Sequence, residues 1–209
     1  MGDAILVLGI GNVLWADEGF GVRVVEALHR DYGFPERVRL LDGGTQGLNL
    51  LADVKAARRL IIFDAIDFRL PPGTLKVAED DEVPAWGATK ISLHQSSFQE
   101  VLALAQLSGC YPESIVLIGV QPETLSDFGG SLRESVRARI PEAVAVAIDY
   151  LERWGVAPER RTQAPDSNER LNCAALDIAP YEAGRPSPES ACRHGDPRVI
   201  GARLAEEQR

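Results

Sequence analysis

Three runs of nearly unbroken aliphatic residues set the architecture: AILVLGIG (residues 4–11), LIIFDAID (60–67) and SIVLIGV (114–120). A strand that is apolar at every position is buried on both faces. Such strands belong to parallel sheets covered by helices on either side. RVRLLDGG (37–44) reads as a further strand ending in a glycine turn, and TLKVAED (74–80) alternates as an edge strand does. Between these runs lie segments of helical spacing. Val22, Val25 and Leu28 follow the first strand, with Asp17 placed as an N-cap. GLNLLADVKAARR follows RVRLLDGG, with Leu48, Leu51 and Ala52 on one face. Ser97 with Glu100, and Ser131 with Glu134, have capping-box spacing for two later helices. The first should run to Gly109. In the second, Pro141 either kinks the helix or starts a new one that ends at Trp154–Gly155.

Strands alternating with helices give an α/β domain with a mostly parallel sheet, expected over residues 1–155. Beyond it, prolines recur, apolar periodicity fades and lysine is absent. Residues 156–209 are therefore expected to be a C-terminal extension, partly disordered, with a short helix near its end.

The formal net charge is −9. A nucleic-acid backbone or an anionic membrane needs clustered Lys and Arg, so neither is an expected partner. No run approaches the apolar length of a membrane span, and the first lacks the basic flank of a secretory signal. The cysteines, Cys110, Cys173 and Cys192, are three in number and widely spaced. They fit neither a disulfide framework nor a zinc cage, and a cytoplasmic protein is expected.

The turn LGIGNVLWADEG has the look of a dinucleotide fingerprint but lacks its third small residue, since Leu14 stands there. Asp17 and Glu18 occupy the helix start, where carboxylates would repel a pyrophosphate. Taken alone, that acidic pair is explained by the helix macrodipole. Asp64 interrupts an apolar strand, and a buried carboxylate is costly unless it is paired, hydrogen-bonded or metal-bound. Its structural alternative is a strand end bonded to loop N–H groups. His94 stands in a polar stretch before a helix; His29 and His194 read as surface and tail residues. Ligands of open α/β sheets gather at the carboxyl ends of the strands. Right-handed crossovers bring Glu18, Asp64 and His94 to one such edge. Two oxygens and one imidazole nitrogen suit a borderline divalent ion. Asp42 and the glycines of DGGT reach the same edge.

The segments LVLGIGNVLWADEGFGVRVVEAL, LLDGGTQGLNLL, IIFDAID, KISLHQSSFQEVL and IGVQPETL occur in unbroken order. Together they resemble the hydrogenase maturation endopeptidases, the processing proteases of nickel–iron hydrogenases. The resemblance implies a three-layer fold, a twisted five-stranded sheet between helices. It implies that Glu18, Asp64 and His94 bind a metal, and that Asp42 is a substrate-site residue. The implied substrate is the large-subunit precursor, which loses a C-terminal peptide after nickel insertion; the nickel is carried by that precursor. Two mechanisms stay open. The ion itself assists hydrolysis, or a carboxylate, Asp64 or Glu18, acts as general base in the manner of an aspartyl protease while the metal serves recognition. No Ser or Cys stands in a nucleophile elbow. The tail resembles those of family members serving uptake hydrogenases. The alternatives are a non-enzymatic nickel-binding chaperone and a nucleotide-binding α/β enzyme.

Overall fold

The computed structural model describes residues 3–83, 93–163, 165–166 and 169–185, with residues 93–97 as backbone only. Cys192, His194 and the loop of Pro84 and Trp86 lie outside the described residues.

The aliphatic runs are the strands they were expected to be. Strand β1 (Ile5–Ile10) is buried throughout, and short β2 (Tyr32–Gly33) follows the first helix. The remaining sheet strands are β3 (Val38–Gly44), β4 (Arg59–Ala65), β5 (Leu75–Glu79) and β6 (Ser114–Val120). The five-stranded sheet has the order β3-β1-β4-β6-β5. All its pairings are parallel except β5 with β6, which makes the alternating segment an antiparallel edge strand.

Helices cover both faces, as a sheet apolar on both sides requires. On one face, helices α1 (Phe20–Asp31) and α5 (Ile140–Arg153) bury Phe20, Val24, Leu28, Ala147 and Leu151 against Val7, Phe63 and Ile118. On the other, α2 (Leu51–Ala56) and α3 (Leu93–Leu107) bury Val54, Val101 and Ala105 against Leu8, Ile62 and Leu117. Pro141 stands in the first turn of α5 and so starts that helix, which Gly155 closes with φ +76°.

Local signals at helix starts fared differently. Helix α3 is already formed at Leu93, so Ser97 is inside it rather than at its cap. Short α4 (Glu134–Arg137) has no side-chain cap, and the Ser131 hydroxyl is used elsewhere. In the second helical segment Leu50 and Val54 are the buried residues, while Leu48 is half exposed.

Two glycines permit the approach of α1 to the sheet. Gly11 has φ +133°, and a Cβ there would meet the Glu18 carbonyl at 1.8 Å. At Gly21 a Cβ would sit 2.2 Å from the Phe63 carbonyl oxygen and 2.3 Å from that of Ile10. Both neighbours are sheet backbone and cannot turn aside. Gly21→Ala is therefore expected to lower stability by about 3 kcal/mol. A urea titration would show this as a reduced midpoint at unchanged slope; a midpoint equal to wild type would mean that α1 does not lie against β1 and β4 in this way.

Candidate active site at the carboxyl edge of the sheet

The carboxyl ends of β3, β1 and β4 bring Asp42, Gly9 and Phe63 into one register row, with Asp64 one residue further along β4. Beyond β1 the chain turns tightly. Asn12 N–H donates to the Glu18 carbonyl at 3.1 Å, and Glu18 N–H donates to the Trp15 carbonyl at 3.0 Å. The Asn12 side chain accepts from Leu14 N–H at 3.0 Å. A 3-10 turn, Ala16–Gly19, then leads into α1. Half-buried Glu18 is thus fixed above the end of β1.

The two acids of this turn have different roles. Asp17 is not an N-cap of α1, whose cap residue is Gly19. Its carboxylate is completely buried and accepts from Glu123 and Thr124 N–H, each at 2.9 Å, and from Arg133 N–H at 2.7 Å. It ties the loop after β6 to the turn after β1. Trp15 consequently meets Phe128 with ring centroids 5.2 Å apart, and Gly129 N–H donates to the Leu14 carbonyl.

Asp64 is 5% exposed and accepts from Ala65 N–H at 2.8 Å. Alternation along β4 puts it with Leu60 and Ile62, on the face covered by α2 and α3. Helix α3 leads into β6, which runs parallel to β4. Its first residues, His94 among them, therefore lie toward the carboxyl edge, and the helix touches the turn of Gly47–Leu50 that follows β3. The His94 side chain lies outside the described residues. Among the described residues, no three His, Cys, Asp or Glu side chains are grouped to hold a metal. The far wall is shaped by Gln121, 7% exposed, whose Oε1 accepts from Phe68 and Leu70 N–H and whose amide donates to Asp67.

Asp42 reaches the same edge but the opposite face. It alternates with Val38 and Leu40, on the side of α1. The backbones of β3 and β4 are two strand spacings apart there, roughly 10 Å. Asp42 accepts from Gly44 N–H at 2.9 Å and from the Asn172 amide at 3.2 Å. Burial pushes its carboxyl above the ordinary range, although these bonds and Arg23 pull it down. Glu26 is also raised by burial, against the lowering effect of its ion pair with Arg23. The edge therefore presents Glu18 and Asp64 with the start of α3, and Asp42 on the far side of β1.

Residues 22–150, more than half of the chain, match the family model for hydrogenase maturation proteases. The chain belongs to that family. Hydrogenase expression/formation protein HupD of Thiocapsa roseopersicina is 56% identical to this protease over 197 residues, which are 94% of this chain and 89% of that protein. The hydrogenase 2 maturation protease of Escherichia coli K12 is 44% identical over 153 residues, 73% of this chain and 93% of its own length. The solved structure of the hydrogenase maturating endopeptidase HybD from E. coli superposes with a TM-score of 0.73 at 42% identity. It covers 76% of this chain and 98% of that one. The present protease is thus an endopeptidase on the same mostly parallel sheet.

The sequence did not point to Asp17 as the organiser of a distant loop, to Gln121, or to the Arg23–Glu26–Asn172 group beside Asp42. For Arg23 the available signal was its place between Val22 and Val24 in an otherwise apolar stretch, whereas Asp17 offered only the signal of a cap.

Proposed function

We propose that this protease removes the C-terminal peptide of a nickel–iron hydrogenase large-subunit precursor after nickel insertion, and that it does so in the cytoplasm. The tail's resemblance to those of family members serving uptake hydrogenases supports an uptake hydrogenase as the source of the precursor. Glu18, Asp64 and His94 serve as ligands for the nickel that the precursor carries, and Asp42 contacts the substrate from across β1. The observation that carries this reading is Asp64, a carboxylate at 5% exposure on the end of a central strand, on the face of the helix that begins at Leu93 and has His94 in its first turn. A carboxylate held in that place offers oxygen donors at the edge where ligands of such sheets gather, and a divalent ion accepts them.

Nickel is part of the substrate in this scheme. Two carboxylates and an imidazole suit such a borderline ion. Peptide hydrolysis needs a water deprotonated as it attacks the scissile carbonyl, and Asp64 and Glu18 are the carboxylates available for this. A carboxylate base acting on water makes the enzyme aspartyl in type, and no covalent intermediate is required.

Incubating nickel-loaded precursor with the protease and reading the precursor's intact mass tests this. Wild type should release one C-terminal peptide. Asp64→Asn and Glu18→Gln should each slow release by about a hundredfold or more, the lower end of general-base contributions. Wild-type rates in both variants would remove these residues from the site.

A further inference from the structure

We propose that residues 169–183 of the C-terminal extension form a strap that completes the substrate site, with Asn172 as the positioning residue that holds Asp42. This rests on the reading of Asp42 as a substrate contact.

The strap is attached at both ends and in the middle. At its start the Asn172 amide donates to Glu26 Oε1 at 2.6 Å and to Asp42 Oδ2 at 3.2 Å. One neutral amide thereby bridges a carboxylate of α1 and a carboxylate of β3. In the middle, Arg23, only 4% exposed, donates to the Leu176 carbonyl and to Glu26, and its guanidinium lies 5.7 Å from the Tyr181 ring centroid. At the far end Glu182 accepts from the Ser131 hydroxyl and pairs with Arg137, while the Tyr181 hydroxyl donates to the Gly130 carbonyl. Ser131 and Gly130 belong to the loop that Asp17 anchors. The strap therefore runs from the end of β3, across the first turns of α1, to the loop after β6. These segments flank the turn that carries Glu18.

A solvated tail would not be tied down by the buried Arg23, by the carboxylates of Glu26 and Asp42, and by Ser131 and Arg137. The strap lies beyond the residues that match the family model, 22–150. The HupD relative aligns with 94% of the chain. The E. coli hydrogenase 2 protease, matched over 93% of its own length, aligns with 73% of this chain. The strap is thus C-terminal to the stretch that matches the family model, and it touches Asp42 within that stretch.

Without the Asn172 amide, Glu26 keeps its pair with Arg23, but among the described residues no side chain bonds both Glu26 and Asp42. Like charges in a partly buried setting repel, and among the described residues Asp42 then keeps the Gly44 N–H to fix its rotamer. Its geometry for substrate is lost, while Asp64, on the other face of the sheet, is untouched.

The test is steady-state cleavage of nickel-loaded large-subunit precursor by the full-length chain. Asn172→Ala is expected to raise KM about tenfold with kcat within about twofold of wild type, the pattern of lost substrate binding. Asn172→Asp, of the same size but adding a third carboxylate, is expected to raise KM at least as much. The double variant Asn172→Ala with Asp42→Ala should be no worse than Asp42→Ala alone, because the two act as one unit. An unchanged KM in both Asn172 variants, a fall in kcat alone, or additive losses in the double variant would overturn the proposal. A wild-type chain that cleaves no precursor would instead overturn the peptidase reading beneath it.

Discussion

Replacing Asp17 with Ala is expected to lower folding stability by about 4 kcal/mol. Its carboxylate is fully buried and accepts three backbone N–H groups, those of Glu123, Thr124 and Arg133. A hydrogen bond to a charged group contributes about 1.5–3 kcal/mol, and a donor left unsatisfied adds its own desolvation cost. The three bonds share one acceptor group, so their loss is less than their sum. Asp17→Asn should cost about half as much. An amide keeps one oxygen acceptor but turns an NH2 group toward donors at the other position. The loop that carries Phe128 would then be released from Trp15, which stands three residues before Glu18. Urea unfolding followed by circular dichroism measures the effect; a loss below about 1 kcal/mol in Asp17→Ala would mean that this carboxylate does not organise the loop.

The second large effect is on chemistry. His94→Ala is expected to reduce processing of nickel-loaded precursor by at least about 10³-fold, since several kcal/mol of transition-state stabilisation depend on a correctly held ion. Of the three proposed ligands, His94 is the only nitrogen donor, and the carboxylates cannot substitute for it at a borderline ion. The thermal midpoint, measured in parallel, should stay close to wild type. Intact-mass time courses decide the matter. Normal processing by His94→Ala would exclude the metal ligation proposed for this edge.

The sheet was legible because its strands are hydrophobic on both faces. β1, β4 and β6 fall within the aliphatic runs to within a residue or two, and β5 shows its edge position by alternation. The helix starts were less legible, for a physical reason. Asp17, Ser97 and Ser131 have the local spacing of caps, yet tertiary partners take two of them. Asp17 is bonded to residues more than a hundred positions away, and Ser131 to Glu182. Ser97 lies within a helix that begins upstream of it.

The site was partly legible. Glu18, Asp42 and Asp64 all reach the carboxyl edge, as strand direction dictates. Their division between two faces was not foreseen. Alternation fixes which residues of one strand share a face, as Leu40 with Asp42 or Ile62 with Asp64. It does not fix the phase between strands, which needs the register of Gly9 with Asp42 and Phe63. The strap was hidden because its contacts are polar and isolated. Asn172, Tyr181 and Glu182 form no periodic pattern, and only the folded chain brings them to Asp42, Arg23 and Arg137.

The most direct measurement of the central claim compares a nickel-loaded large-subunit precursor with the same precursor free of nickel, each incubated with the full-length protease and weighed intact. The account predicts that only the loaded precursor loses its C-terminal peptide, and that Asp64→Asn abolishes the difference by slowing that loss. Equal cleavage of both precursors would contradict the role given to Glu18, Asp64 and His94 as ligands of the nickel in the substrate.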